Sequence, residues 1–148
     1  MKFQTSIIFL TLWLWGAAGA QAQSRWLTVT GDPANPAVNT IQVDPTPVSV
    51  SANGRVMWIR VSRSAPRTSW DGVAYQSYRA QVVFDCPRNS ARYMSIDFYL
   101  APIWQGEPYQ TSVYGAEAHR LMRFLDVTPN PTARIVRAAC ESASVMSN

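Results

Sequence analysis

The chain has 148 residues, 47% hydrophobic and 15% charged, with a formal net charge of +4. Aromatic and β-branched residues run throughout, which excludes a disordered composition, and the absence of any dense basic run argues against a nucleic-acid-binding surface. Beyond the N-terminus nothing approaches the roughly 20 apolar residues of a membrane span, and the length suits one domain with its own core.

Residues 1–22 read as a cleaved export signal. Met1-Lys2 supplies the positive start, Phe3 to Trp15 the short apolar stretch, and Ala18-Gly19-Ala20 or Ala20-Gln21-Ala22 the small-residue cleavage site. The competing reading is a retained N-terminal anchor helix. No cysteine follows either cleavage site, so a lipid anchor is not expected. A single domain over residues 23–148 is expected to be soluble after export, in the periplasm, secreted or at the cell surface.

The mature segment is punctuated by prolines and glycines, and its runs mostly alternate with period two, which argues for strands. Trp26 to Thr30 is a first strand, ended by the turn-rich Gly31 to Pro36. Ile41 to Val43 and Val48 to Ser51 are short and flanked by prolines, which suits an edge. Ala52-Asn53-Gly54 signals a hairpin, leading into Arg55 to Val61, where Met57, Ile59 and Val61 share a face. Ser62 to Gly72 reads as a loop. Val73 to Cys86 is a long strand with Ala80, Val82, Phe84 and Cys86 on one side. Arg92 to Leu100 returns antiparallel to it, with Met94, Ile96, Phe98 and Leu100 on one face and Tyr93, Ser95, Asp97 and Tyr99 opposite. Residues 106–114 and 122–127 offer further strands, with a helical turn over Glu117 to Arg123 as the alternative.

The period then changes. Asn130 suits an N-cap and Pro131 a first helical residue. Thr132, Ile135, Val136, Ala139, Cys140 and Ala143 follow helical spacing. Cys86 and Cys140, the two cysteines, thus lie on the apolar sides of a strand and a helix and point into one interior. In an exported protein a disulfide between them would persist. The loop it closes, about 54 residues, corresponds to ~4 kcal/mol in the chain-entropy description. A redox couple is the other reading, but catalytic pairs usually sit close together as C-x-x-C.

Together these patterns define an α+β protein. It has a single antiparallel, curved sheet of about six strands, with a C-terminal helix packed on one face and tied to it by the disulfide.

Catalytic spacing is lacking. His119 is the sole histidine, with neither metal-ligand partners nearby nor a G-x-S-x-G elbow at any serine. Asp85 and Asp97, on neighbouring strands, are better read as partners of Arg79 or Arg92 than as a glycosidase pair. The reading is therefore not an enzyme, with no cofactor and no metal. Lys2 is the only lysine, so the twelve mature basic residues are all arginine. Arginine suits carboxylate contacts and stacks on aromatic rings.

Several of these segments together resemble the surface-adhesin protein E family. They are Asp85-Cys86 closing a strand, the return strand Arg92 to Tyr99, and the terminal segment reaching Ala138-Ala139-Cys140. Val56-Met57-Trp58-Ile59-Arg60 and Trp26 fit the family's earlier positions, so the resemblance spans about residues 25–141. It implies a six-stranded antiparallel sheet whose concave face holds a C-terminal helix by a disulfide, here Cys86 to Cys140. The family's namesake is a bacterial surface adhesin that binds host matrix and serum proteins and can dimerise. This chain departs in lacking the lipid-attachment cysteine and mature lysines.

The implied function is that of an exported, non-enzymatic binding protein engaging host matrix or envelope proteins through a sheet face. The alternative is a periplasmic structural or envelope-assembly component without adhesive role. The face opposite the helix is the candidate surface. Trp58, Tyr93 and Tyr99 are expected there beside Arg60, Arg79 and Arg92, a composition typical of interface anchors. Loops around Trp70 and Trp104 form a second candidate surface.

Overall fold

Successive side chains of a strand point to opposite faces. In the computed structural model, which describes residues 26–142 apart from 53 and 119, that rule builds one antiparallel sheet. Its strands are β1 (Leu27–Thr30), β2 (Thr40–Val43), β3 (Ser49–Ser51), β4 (Gly54–Thr68), β5 (Ala74–Asp85), β6 (Ser90–Tyr99) and β7 (Gln110–Val113). They lie in the order β1-β2-β4-β5-β6-β7, and β3 pairs with the start of β4. The export signal expected over residues 1–22 and His119 lie outside the described residues.

One face of the sheet carries Met57, Ile59 and Val61 from β4, Ala80, Val82 and Phe84 from β5, and Ile96 and Phe98 from β6, all buried. Against them packs α1 (Thr132–Ser142), the single α-helix among the described residues, through Ile135, Val136 and Ala139. Burying a side chain such as Ile135 or Val136 contributes about 1.5–3 kcal/mol. The helix starts one residue later than its sequence suggests: Asn130 Oδ1 accepts the Thr132 N–H at 2.9 Å, and Pro131 stands just before the first helical residue, its carbonyl accepting the Ile135 N–H at 3.0 Å. At the other end Arg55 Nη1 donates to the carbonyls of Ala139 and Cys140, two acceptors of the last turn. The Cys86–Cys140 disulfide joins the end of β5 to that same turn, with a Cα–Cα distance of 5.9 Å.

Four elements differ from the sequence reading. β2 is not an edge, because β1 and β4 flank it and all four of its residues are buried. Its prolines lie outside the strand, so its N–H groups can pair on both sides. β4 runs on through the segment read as a loop. There Arg63 to Pro66 stand against the single residue Gln76, an irregularity that erases the alternation. In β6 the partners are Gln81↔Ser95 and then Val82↔Tyr93, so Met94 is an extra residue, a β-bulge. The bulge moves Tyr93 onto the helix face and leaves Met94 half-buried. Leu100, expected to be apolar-facing, is exposed. Finally, β7 covers only the end of the 106–114 segment. Residues 122–127 form no strand: a single bridge joins Leu121 to Arg92, while Met122 and Phe124 are buried in the core.

Candidate functional site

On the face away from α1, one row of side chains crosses six strands. Thr28, Gln42, Arg60, Arg79, Asp97 and Thr111 are successive cross-strand partners. Almost every link is a hydrogen bond. Gln42 Nε2 donates to Thr28 Oγ1 at 2.9 Å and Arg60 Nε to Gln42 Oε1 at 2.6 Å. Arg79 Nη2 pairs with Asp97 Oδ2 at 2.9 Å, and Thr111 Oγ1 donates to Asp97 Oδ1 at 2.8 Å. The break lies between Arg60 and Arg79, where like charges directly opposed would repel.

Arg60 resolves the conflict by stacking between two indoles, 4.4 Å from the Trp26 ring centre and 4.1 Å from that of Trp104. Burial lowers its pKa to about 10, so it remains a cation at neutral pH. Trp104 is held in place by its own turn. Its Nε1–H donates to the carbonyls of Val61 and Tyr78 at 3.1 and 3.0 Å, and its backbone N–H to Ser77 Oγ at 3.0 Å. Ile103 N–H reaches Ser62 Oγ at 2.9 Å. These bonds hold Ile103 and Trp104 at φ of 46° and 57°, a left-handed conformation costing of order 1–3 kcal/mol per residue. The turn closes this end of the face, where Ser62, Ser77 and Tyr99 are buried.

The other end is open. The Arg79 guanidinium lies 4.7 Å over the Trp58 ring, and its side chain is 44% exposed against 15% for Asp97. Beside this unit a second cross-strand row, Val56, Val83 and Arg92, faces the same way, each half-buried. The ion pair and the ring limit the rotamers of Arg79, so a partner would lose less entropy in fixing it. Tryptophan and arginine are also the residue types that dominate protein interfaces.

Of the six candidate residues, then, Trp58, Arg79 and Arg92 lie together at the open end. Arg60 and Tyr99 share the face at the end closed by the Trp104 turn, Tyr99 buried and Arg60 half-buried between its two indoles. Tyr93 belongs to the opposite face: it is 4% exposed, and its hydroxyl lies 2.8 Å from that of Tyr78. Trp104, offered as a loop surface, turns inward, whereas Trp70 remains exposed against Tyr93 and Tyr114. Trp26, Gln42 and Asp97 join the array without having been singled out as binding residues. For Gln42 and Asp97 the signal was cross-strand register, which requires the strand order, whereas Trp26 precedes β1 and joins through its ring contact with Arg60. Asp85 and Asp97 serve different arginines, Arg88 at 3.0 Å and Arg79 at 2.9 Å. No His, Cys, Asp or Glu cluster among the described residues could hold a metal ion.

The molecule thus carries a disulfide-tethered helix on one side of an antiparallel sheet and an arginine–tryptophan array on the other. The model of the surface-adhesin protein E family matches residues 26–141, and the chain belongs to that family. The membership supports a surface adhesin-like role in general, that of a binding protein. No curated protein and no solved structure gives a significant match. No helix among the described residues is long and apolar enough to cross a membrane.

Proposed function

We propose that this is an exported, non-enzymatic adhesin that engages a host matrix or envelope protein through the open end of its outer sheet face. Trp58 and Arg79 are the central contacts and Arg92 an adjoining one. The observation that carries the reading is the stacked, half-exposed Trp58–Arg79 unit, steered by Asp97 and flanked by the Val56–Val83–Arg92 row. Such a surface combines an apolar ring with a charged fork already oriented for a partner's carboxylate or carbonyl.

The test is capture of matrix and envelope proteins on immobilised protein, comparing wild type with Trp58→Ala and Arg79→Ala. Retention by wild type and loss in both variants is expected. No retained partner, or equal retention by wild type and variants, would overturn the assignment. Protease treatment of intact cells then locates the protein. Digestion is expected for a surface-displayed adhesin, and protection would instead favour a periplasmic assembly component. Light scattering across concentrations tests for the homodimer that the family resemblance implies.

A further inference from the structure

On the helix side of the sheet, but lined by no residue of α1, lies a cavity of about 330 Å³. This falls at the lower end of small-molecule sites, which run to roughly 300–1,000 Å³. Its floor is buried: Arg63, Tyr78, Tyr93, Phe98 and Phe124. Its mouth is formed by the exposed Arg67, Trp70, Arg123 and Asp126.

Arg63 is the anomaly. Its side chain is 4% exposed, yet its one ion pair is a 3.3 Å contact from Nη2 to Asp126, itself 45% exposed. The Phe124 ring lies 5.5 Å from the guanidinium carbon, and neither Nε nor Nη1 has a hydrogen-bond partner. A buried charge is ordinarily paired and its donors satisfied. Burial draws the Arg63 pKa down, while Tyr78, Tyr75 and Asp126 more than offset it, so the group stays cationic. A second unspent donor lies beside it. Tyr78 and Tyr93 share one hydrogen bond, which uses only one of their two hydroxyl protons.

We propose that this cavity binds a small organic acid with a planar apolar body. The carboxylate would displace Asp126 from Arg63 and accept the spare tyrosine proton, and the body would lie among Tyr75, Phe98 and Trp70. Three arginines against one aspartate make the lining net cationic, in keeping with an anionic guest. The site is separate from the adhesive face, since the sheet lies between them.

Calorimetric titration with phenylacetate and its neutral analogue phenylacetamide tests the proposal on the purified full-length protein. Saturable binding of the acid is expected, with the amide weaker by about tenfold or more, the value of a hydrogen bond to a charged group. Arg63→Met should abolish that preference, and Asp126→Asn, which removes the competing carboxylate at the mouth, should tighten the acid severalfold. No saturable binding of the acid, equal affinity for acid and amide, or an unchanged preference in folded Arg63→Met would overturn it. Should Arg63→Met not fold, the wild-type acid–amide comparison and Asp126→Asn decide the matter.

Discussion

Arg60 and Arg79 stand directly opposite one another on β4 and β5, yet their guanidinium groups settle on different tryptophans. Arg60 is fixed between Trp26 and Trp104, and Arg79 lies over Trp58 while reaching Asp97. The opposition divides the outer face into a half covered by the Trp104 turn and a half that the turn does not cover.

Substitution of the two arginines should therefore differ. Arg60→Ala removes two stacking contacts, each worth about 0.5–2 kcal/mol, and takes one partner from Gln42. A loss of about 2 kcal/mol in urea denaturation is expected, with Arg60→Met, which keeps the packed stem, losing less. Arg79→Ala breaks a partly exposed pair, for which the expected loss stays within about 1 kcal/mol. Equal losses at the two positions would contradict the division.

The bulge at Met94 predicts a contrast between two aromatic residues that looked alike in the sequence. Tyr93→Ala opens a hole in the core and should cost about 3–5 kcal/mol. Trp58→Ala, half-buried on the outer face, should cost about 1–2 kcal/mol while removing partner capture. Unfolding midpoints of the two variants check the assignment of faces.

Removing the tether by Cys86→Ser with Cys140→Ser frees a loop with a sequence separation of 54. Its closure entropy corresponds to about 4 kcal/mol in the chain-entropy description. Unfolding of the variant and of wild type under reducing conditions should agree. Wild type without reductant should show no free thiol after denaturation.

Alkaline pH should destabilise the fold. Burial raises both Tyr78 and Tyr93 well above the usual tyrosine value, so the folded state holds their protons where the unfolded chain has released them. Their contribution is therefore intact below about pH 10 and is lost as pH rises towards the folded values. The loss amounts to as much as about 1.4 kcal/mol per pH unit for each tyrosine. Denaturation curves at about pH 8 and about pH 11 should separate in wild type, and less so in Tyr78→Phe or Tyr93→Phe.

Much of the scaffold was legible because its strands obey the period-two rule where they are regular. Met57, Ile59 and Val61, and Ala80, Val82 and Phe84, read as one buried face and form it, and the capped helix carries Cys140 to Cys86 as expected. Two of the misreadings coincide with interruptions of that period. One inserted residue, Met94, reverses Tyr93, and four residues opposite Gln76 disguise half of β4 as a loop. Arg63 lies in that irregular segment, so neither its burial nor the cavity it lines could be foreseen. The outer array depends on which strands are neighbours, and on a turn in which Ile103 and Trp104 take left-handed angles that their residue types do not signal. Register and bulges are tertiary choices, and local composition carries little trace of them.

The Cys86–Cys140 bond also governs how the molecule would bear a pull along its chain. A load entering beyond Cys140 passes through sulfur straight to the end of β5, bypassing β6, β7 and most of α1. The enclosed segment, with its sequence separation of 54, would be about 180 Å long if extended, and none of that length can be drawn out while the bond is intact. Under tension the protein behaves as a shorter and stiffer link than its residue count suggests.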